Sequence, residues 1–239
     1  MNSILITGAS GGVGRSLALQ AARTGYKKIV LTCHSNMEGL QQVKSECQAI
    51  ADAEYILSGG DIGDINYVQE LRNMSGSVDV IINNAAISIT GLLIDMTPQE
   101  WSHIISTNVT SLYNTCHTFV PDMIREKKGK IINVSSVWGL TGASCEVAYS
   151  ATKGAVNSFT KALAKELAPS NIQVNAVALG IVDTQMNSHL NSEELEAITE
   201  EIPAGCIMSA DEAATSIMKL LEMPEYFTGE IVKIDGGWQ

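Results

Sequence analysis

Tyr149 and Lys153 stand four residues apart in an amphipathic stretch. On a helix that spacing puts both side chains on one face, one turn from each other. A free tyrosine, with a pKa of about 10, exchanges protons poorly at neutral pH. A neighbouring ammonium favours the phenolate and lowers that pKa. Such a pair suits a reaction in which a ketone oxygen gains negative charge as hydride arrives and must be given a proton. Ser135-Ser136 closes an apolar run shortly before, with Ser136 thirteen residues ahead of Tyr149. Taken singly these are ordinary features, because a Tyr–Lys pair is often a surface contact and Ser-Ser after a strand is often a turn. Their meaning depends on what stands around them.

A glycine loop stands at the start of the chain. Thr7-Gly8-Ala9-Ser10-Gly11-Gly12-Val13-Gly14 follows the apolar Ile4-Leu5-Ile6 and opens an amphipathic segment. Strand, glycine loop and helix in that order form a dinucleotide-binding fingerprint. Gly8 permits the tight turn, Gly12 lets the backbone approach a pyrophosphate, and Gly14 lets the helix pack near the sheet. Helix-terminal N–H groups then face the phosphates, with Ser10, Gly11 and Val13 completing the loop. Gly8-x-Ser10-x-Gly12 also fits a hydrolase nucleophile elbow. That motif belongs deep inside a sheet with an Asp and then a His downstream; of the histidines only His189 is suitably placed, and no second feature supports it. The next strand ends in Thr32-Cys33-His34-Ser35-Asn36. An NAD site usually carries a carboxylate there for the ribose hydroxyls. Its absence, and the hydrogen-bonding capacity of His34, Ser35 and Asn36, predict NADPH (NADP) as the preferred cofactor. No arginine stands there, so NADH remains open.

The elements needed to position these residues follow from the hydrophobic pattern. Short apolar runs at about 4–6, 28–32, 54–57, 78–82, 131–135, 172–177 and 230–234 read as strands. Amphipathic segments at about 13–24, 38–50, 65–74, 98–126 (in two pieces), 149–167, 192–201 and 210–221 read as helices. Alternating strands and helices imply parallel strands joined by right-handed crossovers. Continuous apolar strands imply burial on both faces. The expectation is an α/β chain: one Rossmann-type, doubly wound domain over residues 1–239, with about seven parallel strands and helices on both faces. Its ligand crevice should lie at the carboxyl ends of the strands, where strand order reverses.

Composition narrows the classes. A formal net charge of −11 disfavours nucleic acid, whose phosphates need clustered Lys and Arg. The five cysteines are odd in number and never spaced C-x-x-C, and the four histidines are scattered. Reduced thiols in a cytoplasmic protein are expected, with neither a disulfide framework nor a metal site. No run is long enough for a membrane span, and the apolar start is broken at once by Thr7 and glycines, unlike a signal peptide. Cys145 lies near Tyr149 but has no neighbouring histidine in sequence, and reads as a packed thiol.

The glycine loop, Asn83-Asn84-Ala85-Ala86, Asn108, Ser136 and Tyr149-x-x-x-Lys153, in this order, resemble the short-chain dehydrogenase/reductase family over essentially the whole chain. The resemblance implies a nicotinamide-dependent oxidoreductase with Tyr149 as proton donor. Lys153 would tune it and hold the nicotinamide ribose, Ser136 would hydrogen-bond the substrate oxygen, and Asn108 would hold a water linking Lys153 to solvent. It also implies that Asp61 and Ile62 meet the adenine edge and that Asn84, Ala85 and Ala86 line the cofactor. Gly180, Ile181 and Thr184 would meet the nicotinamide carboxamide and phosphates. A homotetramer built through the long helices after the fourth and fifth strands is expected too. Three positions depart from the family pattern: Gly11 where many NADP-dependent relatives have Arg, Ala86 for a common Gly, and Leu179 for a Pro before Gly180. The last predicts a less constrained backbone near the nicotinamide.

Within the family the chain is similar to 3-oxoacyl-(acyl carrier protein) reductases, whose ketone is carried on a protein thioester. Residues 135–147 and the closing Gly236-Gly237-Trp238 look more like the elongation factor P 5-aminopentanone reductase branch, whose ketone sits on a protein-attached group bearing an amine. Glu146 could face that amine or be an exposed loop acid. Lys127, Lys128 and Lys130 form a basic cluster, but before the fifth strand and so away from the expected entrance. A non-catalytic nicotinamide-binding redox sensor is a further possibility in this fold; such sensors typically lose the Tyr or Lys kept here.

Overall fold

Ile4, Leu5 and Ile6 are all fully buried, because the strand that carries them lies in the middle of the molecule with helices on both sides. A computed structural model describes residues 1–188 and 190–239; His189, the histidine required by the hydrolase alternative, lies outside the described residues. In chain order the elements are β1 (Ser3–Ile6), α1 (Gly12–Arg23), β2 (Lys28–Cys33), α2 (Met37–Ile50), β3 (Glu54–Gly59), α3 (Ile65–Ser75) and β4 (Val80–Asn83). There follow α4 (Pro98–Ile105), α5 (Ser111–Glu126), β5 (Gly129–Ser136), α6 (Trp138–Thr141), α7 (Val147–Leu167), β6 (Ile172–Leu179) and β7 (Val182–Asp183). The chain closes with α8 (Ser192–Glu201), β8 (Met208–Ser209), α9 (Ala210–Leu220) and β9 (Ile231–Ile234).

Seven strands form one parallel sheet in the order β3-β2-β1-β4-β5-β6-β9. Alternate side chains of each strand point to opposite faces, and the core divides accordingly. Ile4, Ile6, Leu31, Ile82 and Val177 pack with Leu17, Ala18 and Ile217 of α1 and α9. Leu5, Val30, Ile81, Ile131 and Val174 pack on the other face with Val68, Phe119 and Leu167 of α3, α5 and α7. This is the doubly wound α/β arrangement expected from the pattern. Strand order reverses between β1 and β4, and that reversal leaves a crevice at their carboxyl ends.

Three local features go beyond the sequence reading. The helical region at 98–126 is in two α-helical pieces, α4 and α5, and what the sequence did not show is that a π turn at Ser106–Thr110 joins them without a break. β5 and β6 extend to Ser136 and Leu179, because the two strands pair along their full lengths. A small parallel pair, β7 with β8, stands beside the main sheet; each strand is two residues long and too short to leave a periodic signal.

Buried polar side chains join the sheet to the helices beneath the crevice. Asn83 Nδ2 donates to Asn133 Oδ1 (2.8 Å), Asn133 Nδ2 donates to Thr160 Oγ1 (2.9 Å), and Thr115 Oγ1 donates to Asn83 Oδ1 (2.8 Å). This chain of bonds fixes α5 and α7 to β4 and β5, since a buried amide left unpaired costs roughly 1–3 kcal/mol.

Candidate active site

At the end of β1 the chain must turn sharply into α1, and Gly8 (φ 67°) and Gly12 (φ 52°) take left-handed conformations to do so. Gly14 meets a different demand. A Cβ there would lie 2.1 Å from the Gly8 carbonyl oxygen and 2.8 Å from Asn84 Nδ2, so α1 can approach its own loop only without a side chain. Asn84 Nδ2 donates to the carbonyls of Thr7 (3.0 Å) and Gly8 (3.1 Å). Thr7 Oγ1 accepts the Asn84 and Ala85 N–H groups, each at 3.0 Å. The loops after β1 and β4 are therefore stitched together at the switch point. Gly11, the N-cap of α1, supplies no side-chain cap. The first-turn N–H donors of α1 thus have no capping side chain and are available to an anion.

A cleft of about 610 Å³ opens here. Gly8, Ser10, Gly11, Gly12, Val13 and Gly14 form one wall, and Asn84, Ala85 and Ala86 a second. Gly180, Ile181 and Thr184 line a third side, and Ser136, Tyr149 and Lys153 face the same space. Residues from four separate regions of the chain are brought together. His34, Ser35 and Asn36 do not line this cleft; they are exposed at the end of β2. Asn36 caps α2, its Oδ1 accepting the Gly39 N–H at 3.0 Å. Asp61 and Ile62 also stand outside the cleft, after β3. Asp61 Oδ1 accepts the Gly63 N–H at 2.8 Å, and the Ile62 side chain is buried in the core.

Asn108 lies in the π turn and is buried. Its Nδ2 donates to the Ile87 carbonyl (2.8 Å) and Thr152 Oγ1 (3.1 Å), and its Oδ1 accepts the Ile87 N–H (2.8 Å). Both amide hydrogens are used in fastening the β4–α4 loop to α7.

The expectation that Lys153 lowers the Tyr149 pKa needs correction. Lys153 Nζ donates to the Val134 carbonyl at 2.8 Å and lies 5.4 Å from the centre of the Tyr149 ring. Burial lowers its ammonium to about 8. Tyr149 is instead pushed up, first by enclosure in protein and then by the Glu146 carboxylate, with the Ser136 hydrogen bond opposing them. The Tyr149 hydroxyl is consequently held protonated, the form a proton donor requires. Ser135, by contrast, donates its Oγ to the Lys153 carbonyl at 3.3 Å and serves the helix.

Leu179 also departs from expectation. It pairs with Ser136 on one side and Ile234 on the other, and its carbonyl accepts the Val137 N–H at 2.9 Å. Sheet pairing constrains the backbone that a proline would have constrained. Gly180 then donates its N–H to the Ile234 carbonyl at 2.9 Å, and a Cβ on it would sit 3.0 Å from Asp235 Cα.

Several contributors escaped the sequence reading. A Cβ on Gly139 would meet the Lys153 carbonyl carbon at 2.6 Å, so this glycine lets α6 press against α7 beside the lysine. Ser88 and Thr90 hold Glu146, and Trp138 and Trp238 meet edge to face at 5.0 Å; all four line the cleft. Nothing in local spacing reveals that the last residues of the chain fold back over a loop a hundred positions earlier. The basic cluster at 127–130 lies at the amino end of β5, opposite the cleft, and Lys130 Nζ donates to the Leu221 and Met223 carbonyls. Among the described residues no group of metal-ligating side chains is present, and no helix is long and apolar enough to cross a membrane.

Sheet, glycine loop and convergent Ser, Tyr and Lys define a nicotinamide-dependent oxidoreductase acting on alcohol or ketone groups, and comparison with known proteins gives the family. The family model for short chain dehydrogenase matches residues 2–195; the chain belongs to that family. It is 39% identical over 236 residues to the uncharacterized oxidoreductase YmfI of Bacillus subtilis (strain 168), covering 98% of this chain and 97% of that protein. It is 34% identical over 241 residues to the 3-oxoacyl-[acyl-carrier-protein] reductase FabG of Aquifex aeolicus (strain VF5), covering 98% and 95%. To the FabG of Staphylococcus aureus (strain Mu50 / ATCC 700699) it is 35% identical over 239 residues, covering 98% and 97%.

Proposed function

We propose that residues 1–239 form one catalytic unit, an NADPH-dependent reductase of a ketone carried on a protein or thioester, similar to 3-oxoacyl-(acyl carrier protein) reductases. The observation that carries this reading is the convergence of Ser136, Tyr149 and Lys153 on the cleft that the uncapped N-terminus of α1 also faces. When bound, the nicotinamide supplies hydride. Ser136 and Tyr149 receive the substrate carbonyl by hydrogen bonding, and Tyr149 releases its proton to the oxygen as charge develops. Lys153 and Asn108 serve proton return, the lysine from the floor of the cleft and the asparagine by holding a water between it and solvent. The α1 N-terminus and glycine loop receive the pyrophosphate. Asp61 and the Ile62 backbone receive the adenine, and Gly180, Ile181 and Thr184 the carboxamide end. NADPH is favoured because β2 ends without a carboxylate and leads into the positive end of α2, where His34, Ser35 and Asn36 are exposed.

A second reading, a 5-aminopentanone group on elongation factor P, draws support from Glu146. This acid lines the cleft, and among the described residues no ion pair is formed by it, so its charge is available to a substrate amine. The two readings separate on substrate. Acetoacetyl-CoA should be reduced at the expense of NADPH under the first. Under the second it should be a poor substrate and an amine-bearing ketone a good one. Binding of NADPH with no turnover of either would leave a redox sensor.

A further inference from the structure

Two of the chain's three tryptophans meet at the cleft. Trp138 opens α6 just after Ser136, and its N–H donates to Ser136 Oγ at 3.2 Å. Trp238 comes from the far end of the chain. The two rings stand 5.0 Å apart, edge to face at 62°, an arrangement aromatic pairs favour.

A built turn holds Trp238 in place. Asp235, buried just after β9, accepts the Gly237 N–H on Oδ1 (3.0 Å) and the Gln239 N–H on Oδ2 (2.9 Å). Gly236 and Gly237 take left-handed conformations (φ 68° and 85°). A Cβ on Gly236 would stand 2.8 Å from Ile202 Cγ2, so the turn packs directly on the chain that leaves α8. The Gly236 carbonyl accepts the Ala204 N–H at 3.0 Å. Trp238 Nε1 also donates to Oε2 of Glu201, the last residue of α8, at 3.2 Å. The residues of α8 are all exposed or half-buried, so this helix has little core of its own and is fastened by these contacts.

The cleft therefore has two unlike sides. Ser88 and Thr90, which follow β4, and Glu146 bring polar groups to it. Trp138, Leu190, Ile198 and Trp238, which follow β5, β6 and β9, bring apolar surface. Ser136 adjoins the apolar side through Trp138. We propose that Trp138 and Trp238 are a specificity-determining pair, forming a wall on which the apolar chain of the substrate ketone lies. The inference rests on the reductase reading and deepens it by naming a substrate class: a ketone on a protein or thioester whose free end is a run of several methylene groups. Each methylene withdrawn from water favours binding roughly fourfold. A chain lying on a wall keeps its outer side in water and realises part of that gain.

The test measures kcat/KM with NADPH for acetoacetyl-CoA and for 3-oxooctanoyl-CoA, whose acyl chain is longer by four methylenes. The wild type should prefer the longer chain by about tenfold. Trp238→Ala should bring the ratio toward one, and Trp238→Phe, which restores an aromatic face, should recover most of it. Trp138→Ala reaches the wall from its other ring and should lower the ratio as well, which keeps the test decisive if Trp238→Ala does not fold. A wild type without the preference, or alanine variants that lose both substrates by the same factor, would reduce the tryptophans to a structural clamp and overturn the proposal. If the wild type reduces neither thioester, the reading as a thioester ketone reductase fails by itself. The wall is then judged with octanoyl-CoA, which has no ketone to reduce. Added to the NADPH complex, it should change the tryptophan band of the near-ultraviolet circular dichroism, and acetyl-CoA should not; equal responses to the two would sink the inference.

Discussion

At the scale of the residue, the proposed proton transfer turns on two enclosed groups. Tyr149 is enclosed and kept protonated, and Lys153 is enclosed and lowered to about 8. General acid catalysis contributes roughly 10²–10⁴-fold, so Tyr149→Phe should lower kcat by about that factor while NADPH binding, measured by fluorescence titration, stays intact. The lysine carries a cost in stability. Its pKa is depressed in the folded chain from 10.5 to about 8, so the penalty for burying the ammonium is present in full below pH 8 and is relieved as pH rises from 8 toward 10.5. Lys153→Met should therefore stabilise the protein at pH 7, by up to about 3 kcal/mol, with the gain shrinking by pH 10. Denaturant midpoints at the two pH values measure this; destabilisation at pH 7 would contradict it. The residue types and their order were readable in sequence. The direction of the Tyr149 shift was not, because it depends first on how deeply the phenol is enclosed and then on Glu146, held by a loop elsewhere in the chain.

At the scale of the element, the glycine loop and α1 are inseparable. Gly14→Ala places a methyl carbon against the Gly8 carbonyl and Asn84, so it should cost about 1–3 kcal/mol in stability and abolish nucleotide binding, both readable from thermal melts with and without NADPH. Gly11 behaves oppositely. Its backbone is extended (φ −176°) and a Cβ there meets nothing within 4 Å, so Gly11→Arg should fold normally. A guanidinium at this position should tighten NADPH roughly tenfold over NADH, as a pair of Kd measurements would reveal. Periodicity revealed every long helix and every strand of the main sheet. It could not reveal the π turn around Asn108, which keeps helical spacing on both sides, nor β7 and β8, which are too short to repeat.

At the scale of the whole molecule, the crevice exists because strand order reverses between β1 and β4. That reversal was predictable from alternating strands and helices; the C-terminal segment folding Trp238 against Trp138 was not. The α4–α5 and α7 helices carry exposed Trp101, Tyr113, Ile124 and Val147, in keeping with the expected homotetramer. Light scattering on the eluted protein should give a mass near four times the 25.5 kDa chain; a monomer would remove those helices as an interface. The central claim is best tested by mixing purified protein with NADPH and acetoacetyl-CoA, following loss of reduced nicotinamide absorbance, and repeating with Tyr149→Phe and with NADH. Consumption of NADPH that the variant abolishes, with NADH slower, is the predicted result. Failure to bind either nicotinamide would contradict the account.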